Sequence, residues 1–128
     1  MRKKILVTGA AGFLGYQHCR SIMLNNGLPI LLDVAISRLE KTVHLLKNEF
    51  NIAPKYFLCD ITSEKELSSL TQRLTSSNIL IHGLINNASI NPKVSENNQK
   101  DNFSRLESFS IEQWNLEIEV GLTGSFLC

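Results

Sequence analysis

The sequence predicts an α/β fold, a doubly wound parallel sheet with helices on both faces, and three observations carry that prediction. Short continuous apolar runs recur along the chain: Ile5-Leu6-Val7, Ile30-Leu31-Leu32, Tyr56-Phe57-Leu58 and a fourth within residues 79–85. Strands covered by helices on both sides read in this way, without alternation. Between the runs lie stretches whose apolar residues recur every three or four positions, as in helices that bury one face. Finally, the runs close on Gly9, Asp33, Asp60 and Asn86-Asn87-Ala88-Ser89, so the polar and glycine punctuation gathers at one edge of the sheet. Strands alternating with helices make a parallel sheet with right-handed crossovers, and ligands bind beyond the carboxyl ends of its strands.

At 128 residues with 43% hydrophobic content, the chain has the length and the apolar material of one domain. Thirteen basic against twelve acidic residues give a net charge of +1 with the signs mixed, which excludes the basic face that nucleic acid demands. Arg2-Lys3-Lys4 precedes an apolar run that stops at Thr8-Gly9, too short for a signal peptide, and no later stretch reaches membrane-spanning length. The three cysteines, Cys19, Cys59 and Cys128, and the three histidines, His18, His44 and His82, are scattered without metal-ligand spacing. No metal site and no membrane contact are expected, and free thiols fit a reducing cytoplasm.

The first apolar run ends in Thr8-Gly9-Ala10-Ala11-Gly12-Phe13-Leu14-Gly15 and leads into a helix. A strand that passes through a glycine turn into a helix aims backbone N–H groups and the positive end of the helix dipole at one point, where a pyrophosphate is stabilised. Gly9 is expected to make the turn, Gly12 to let phosphate approach, and Gly15 to let the helix pack closely. Gly9, Ala11, Gly12, Phe13, Leu14 and Gly15 are the candidate binding residues here. The spacing is G-x-x-G-x-x-G rather than G-x-G-x-x-G.

From Phe13 to about Asn26 a helix is expected, closed at Gly27 by a left-handed residue. Pro29 opens the second strand, which ends in Asp33, placed after Gly15 at roughly the interval where dinucleotide folds hold ribose hydroxyls. Ser37-x-x-Glu40 reads as a capping box before a helix with Leu39, Val43, Leu46 and Phe50 on one face. After Pro54 the third strand runs into Cys59-Asp60-Ile61-Thr62. A second box, Ser63-x-x-Glu66, then opens a helix bearing Leu67, Leu70 and Leu74. The fourth strand proper begins near His82 or Gly83. Residues 91–108 are polar, contain Pro92 and read as a long surface loop at the ligand edge. A third box, Ser110-x-x-Gln113, starts a helix with Ile111, Trp114, Ile118 and Leu122 on one face, weakened by Gly121 and Gly124.

In this order and at these intervals, the glycine turn, Asp60, Asn86-Asn87-Ala88-Ser89 and the Trp114 to Gly124 stretch resemble the short-chain dehydrogenase/reductase family over essentially the whole chain. The resemblance implies a Rossmann-type fold, of which these four strands are the first half. It implies a nicotinamide dinucleotide cofactor and hydride transfer at a hydroxyl or carbonyl carbon. It places Asp33 on the adenosine ribose, Asp60 with Ile61 at the adenine, and Asn86, Asn87 and Ala88 along the cofactor cleft. NAD is expected over NADP, because an Asp33 carboxylate repels a 2′-phosphate. The wording Trp114-Asn115-Leu116-Glu117 and the loop before it look most like members that modify flagellin and surface glycans, which implies a sugar-derived small-molecule substrate and a homo-oligomeric parent enzyme.

Three departures from the family's pattern qualify this. The glycine spacing is that of its extended, sugar-nucleotide branch. Gly121 stands where many members have an asparagine that supports a proton-relay water. The family's serine and Tyr-x-x-x-Lys pair lie beyond Cys128, and neither Tyr16 nor Tyr56 has a lysine four residues on, so no catalytic residue is assigned. Three readings therefore stay open: an incomplete dinucleotide-binding domain of an NAD-dependent oxidoreductase, inactive as it stands; a non-catalytic dinucleotide-binding module; and a nucleotide-sugar epimerase or dehydratase.

Overall fold

The computed structural model describes residues 1–90 and 106–128. In chain order the elements are β1 (Lys4–Thr8), α1 (Phe13–Leu24), β2 (Leu28–Asp33), α2 (Ile36–Phe50), β3 (Lys55–Leu58), α3 (Glu64–Ser76) and β4 (Gly83–Ile85). A short 3₁₀ turn (Leu106–Ser108) precedes α4 (Ile111–Ile118), which runs through a π-helical turn (Glu119–Thr123) into α5 (Gly124–Leu127).

All strand pairs are parallel, in the order β3-β2-β1-β4, as continuous apolar strands separated by helices require. The register sets Thr8 beside Leu32, Val7 beside Ile85 and Asp33 beside Leu58. The punctuating residues that follow each strand therefore meet at one edge.

Side chains alternate between two cores. Val7 and Leu31 point to the face covered by α1 and α2, with Cys19, Met23, Leu39 and Leu46. Leu6, Ile30 and Leu32 point to the opposite face and pack with Cys59, Leu70 and Leu74 of the α3 side. Each fully buried leucine contributes about 2 kcal/mol of transfer free energy, and Leu31, Leu32, Leu39 and Leu46 are completely buried.

The helix ends differ from the sequence expectation. Asn26, not Gly27, is the left-handed residue after α1, and Asn51 and Asn78 take the same conformation after α2 and α3. Asparagine tolerates positive φ better than other side chains. Gly27 serves close approach instead, since a Cβ there would lie 2.7 Å from Cγ2 of Ile22. The first capping box does not form. α2 starts one residue before Ser37, with Ala35 as its N-cap, and Asp33 Oδ1 accepts the Ala35 N–H at 3.0 Å. Ser63 does cap α3 by accepting from the Glu66 N–H, but the Glu66 carboxylate reaches back to the Asp60 N–H at 2.8 Å, not to Ser63. Ser110 caps α4 through the Gln113 N–H, while the Gln113 amide turns to Glu117.

Ile111, Trp114, Ile118 and Leu122 lie on a solvent-facing stripe, 38–65% exposed. Of the two glycines expected to weaken this helix, Gly124 has the close neighbour, since a Cβ there would lie 2.7 Å from Ile61 Cδ1, and Gly121 has open space within the π-helical turn. The long loop expected at residues 91–108 falls, up to residue 105, outside the described residues.

Candidate functional site

The site is organised by the end of β1. Gly9 has φ of +61°, which L side chains rarely adopt, and a Cβ there would also lie 2.8 Å from the Ala88 Cα. The turn and the residues after β4 are therefore in direct backbone contact. Thr8 joins them: its fully buried hydroxyl accepts the N–H groups of Asn87 and Ala88, both at 3.0 Å, and donates to the Ile85 carbonyl at 3.4 Å. The Asn87 side-chain amide donates in return to the carbonyls of Thr8 at 2.9 Å and Gly9 at 3.2 Å.

Beyond Gly9 the turn is tied to β2. Ala10 N–H donates to the Leu32 carbonyl at 3.0 Å, and Ala11 N–H donates to Asp33 Oδ2 at 3.0 Å. Gly12 N–H closes the turn onto the Gly9 carbonyl at 3.1 Å. Gly15 lets α1 start directly against the turn, where a Cβ would fall 2.2 Å from the Gly9 oxygen.

Gly12 is the N-cap of α1, with no side-chain cap and no acidic residue in the first turn. The N–H groups of Phe13, Leu14 and Gly15 thus have no intrahelical acceptor, and the positive end of the dipole faces outward uncompensated. At α3 and α4, by contrast, serines cap and glutamates sit in the first turn. A Cβ on Gly12 would meet only the Gly9 oxygen, at 3.3 Å, so the approach to these N–H groups is clear.

A cleft of about 650 Å³ opens here, lined by Gly9, Gly12 to Gly15, Asp33, Asp60, Ile61, Asn87 and Ala88 among others. Asp33 is only 9% exposed. Asp60 turns Oδ1 onto the Thr62 N–H at 2.9 Å and hydroxyl at 2.8 Å, which fixes the corner after β3. Burial pushes the neighbouring Cys59 thiol up to about 11, with the charges of Glu66 and Asp60 adding to the effect, so the cleft wall holds a neutral thiol rather than a nucleophile. Among the described residues no cluster of His, Cys, Asp or Glu could hold a metal.

Of the residues singled out from the sequence, ten line this cleft and two do not. The Ala11 N–H is spent on Asp33, and Asn86 directs its amide to the Ser125 carbonyl at 3.3 Å. The cleft also takes in Val34, Arg38, Thr62, Ser89, Leu116 and Val120. Leu116 and Val120 are four residues apart, a spacing that puts them on one helix face beside the apolar stripe, but only the folded chain brings that face over the turn.

The implied dinucleotide fits this site, because it offers three unpaired N–H groups at a helix N-terminus, with a bare Gly12 in front of them. The sequence model of the family described as short chain dehydrogenase matches residues 3–128. The chain is 27% identical over 127 residues to the uncharacterized oxidoreductase YuxG of Bacillus subtilis (strain 168), covering 98% of this chain and 17% of that protein. It is 31% identical over 86 residues to post-translational flagellin modification protein A of Campylobacter coli, covering 67% of this chain and 34% of that protein. Among solved structures, NAD+-bound xylitol dehydrogenase superposes with a TM-score of 0.81 at 22% identity, over 98% of this chain and 44% of that one. A Shigella flexneri short chain dehydrogenase complexed with NADP gives 0.82 at 19% identity, over 98% and 49%. The chain thus spans at most about half the length of these proteins. No helix among the described residues is long and apolar enough to cross a membrane. With the family's sequence pattern running through nearly every residue and the Rossmann sheet in place, the chain belongs to the short chain dehydrogenase family.

Proposed function

We propose that this chain is the cofactor-binding part of an NAD-dependent oxidoreductase that moves a hydride at a hydroxyl or carbonyl carbon. The observation that carries the reading is the convergence of the uncapped α1 N-terminus, Asp33 and Asp60 on one cleft with Asn87 and Ala88 as its floor. Bound NAD would supply the hydride acceptor. The free N–H groups of Phe13, Leu14 and Gly15 would hold its pyrophosphate. Asp33 retains two unused lone-pair positions after its bonds to Ala11 and Ala35, enough to accept both adenosine ribose hydroxyls. Asp60 and Ile61 would flank the adenine, and Leu116 and Val120 would keep water from the cleft. Asn87 and Ala88, held by Thr8, would support the reacting half of the cofactor.

NAD is preferred over NADP, because a 2′-phosphate would be brought against the buried Asp33 carboxylate. The substrate is a sugar-derived small molecule in flagellin or surface-glycan modification, a reading supported by the identity to the Campylobacter coli flagellin modification protein. We place the parent enzyme in the cytoplasm as a homo-oligomer. Calorimetric titration of the chain with NAD and NADP tests the cofactor assignment. At least tenfold tighter binding of NAD is expected, and equal or tighter binding of NADP would overturn the preference.

A further inference from the structure

Asp33 does more than face the cleft. The ladder between β1 and β2 ends at Thr8 and Leu32, yet the chain beyond β1 stays attached to β2 through two successive N–H groups, Ala10 to the Leu32 carbonyl and Ala11 to Asp33 Oδ2, each at 3.0 Å. The second attachment is a charge-assisted bond in a nearly buried setting, where such bonds are strongest. Asp33 Oδ1 meanwhile holds the Ala35 N–H ahead of α2, so one carboxylate joins the glycine turn to the start of the second helix.

We infer that Asp33 is a positioning residue for the phosphate turn: through the Ala11 N–H it sets the turn that presents the α1 N-terminus, so it contributes to binding at the pyrophosphate as well as at the ribose. The binding half of this inference rests on the cofactor reading above; the turn-holding half does not. Removing the carboxylate frees the Ala11 N–H and so breaks one of the two attachments of the turn to β2 among the described residues. The turn would then sample arrangements in which the N–H groups of Phe13, Leu14 and Gly15 no longer converge, and the binding-competent fraction would fall for any ligand with a pyrophosphate. A consequence concerns specificity. Replacing Asp33 to admit a 2′-phosphate removes a repulsion and loosens the phosphate site together, so NAD binding would be lost without a matching gain of NADP.

The test is a cycle with two ligands and two proteins: NAD and an NAD analogue lacking the 2′ and 3′ hydroxyls of the adenosine ribose, each titrated into the wild-type chain and Asp33→Ala, which leaves the Ala11 N–H no side-chain acceptor at this position. If Asp33 acted only on those hydroxyls, the substitution would leave the analogue's affinity unchanged, and that result overturns the inference. A loss of about tenfold for the analogue is expected. Amide hydrogen exchange on the cofactor-free chain gives a second readout that needs no ligand. In the wild type the Ala11 amide should exchange at least about tenfold more slowly than those of Phe13 and Leu14, and Asp33→Ala should abolish the difference. Equal exchange in the wild type overturns the inference even if Asp33→Ala does not fold. Absence of any NAD binding with Ala11 protected would instead refute the cofactor reading and leave the turn-holding role standing.

Discussion

Asn87 is held to Thr8 by two hydrogen bonds that it donates: its N–H to the Thr8 hydroxyl at 3.0 Å, and its side-chain amide to the Thr8 carbonyl at 2.9 Å. The pair lies where β1 and β4 have finished their ladder, so it extends the sheet by side-chain bonding at the point where both chains turn into the cleft. Because Ala88 also donates to the same hydroxyl, Thr8→Val would leave two N–H groups without an acceptor at nearly unchanged volume. A loss of about 2–4 kcal/mol in urea unfolding is expected, with Thr8→Ser near wild type. A Thr8→Val chain as stable as the wild type would show that water replaces the hydroxyl.

Gly12 and Gly15 of the turn should fail in different ways. Gly12 faces the cleft, so Gly12→Val would place methyl groups before the α1 N–H groups and lower NAD affinity at least tenfold with a melting temperature close to wild type. Gly15→Ala would drive a Cβ into the Gly9 carbonyl, 2.2 Å away on the present backbone, and cost about 3 kcal/mol of stability. Differential scanning fluorimetry with and without NAD separates the two, and a Gly12→Val chain that melts early while binding normally would contradict the assignment.

The buried thiols predict an alkaline limit. Burial pushes Cys19 up to about 12 from an ordinary value of 9.0, so below pH 9 the thiol is protonated in both folded and unfolded chains and stability does not depend on it. Between pH 9 and 12 the unfolded chain loses the proton and the folded chain keeps it, so stability falls as pH rises, by about 1.4 kcal/mol per pH unit for this group. Unfolding free energies measured from pH 8 to 10.5 should show that slope, and Cys19→Ala should reduce it.

The 128 residues alone should show no dehydrogenase turnover, since no tyrosine among them has a lysine four positions on. An assay of NAD reduction over a panel of alcohols and sugars checks this, and measurable turnover would mean that other side chains provide the acid and base. The same chain should self-associate, because among the described residues β4 pairs only with β1, at the edge of the four-stranded sheet, and Leu84 there is 39% exposed. Light scattering should report a species larger than a monomer; a monodisperse monomer would contradict it.

The local chemistry of the chain was enough to determine the parallel α/β sheet, the buried cores of β1 and β2 and the glycine turn, whereas Tyr56 and Leu58 of β3 and Leu84 of β4, read from the same kind of apolar run, are 37–54% exposed. Continuous apolar runs and three-to-four spacing are properties of neighbours in sequence, so Ile30-Leu31-Leu32 or Leu67, Leu70 and Leu74 need no distant partner to declare what they form. Only the tertiary structure decided where competing polar groups went. Ser37 and Glu40 carry a capping-box pattern, but α2 begins earlier because Asp33, fixed at the end of β2, holds Ala35. Strand pairing brings Asp33 to the Ala11 N–H, and the Asn86 amide reaches the Ser125 carbonyl, 39 residues away, neither of which is visible in the local sequence. Leu116 and Val120 carried no signal of their own as cleft residues, since that role depends on where the fold places α4 and the π-helical turn after it. The division follows from range: apolar burial is non-directional and is recorded in local periodicity, whereas a hydrogen bond goes to whichever donor the folded backbone brings to about 3 Å, and strand order and register set that donor.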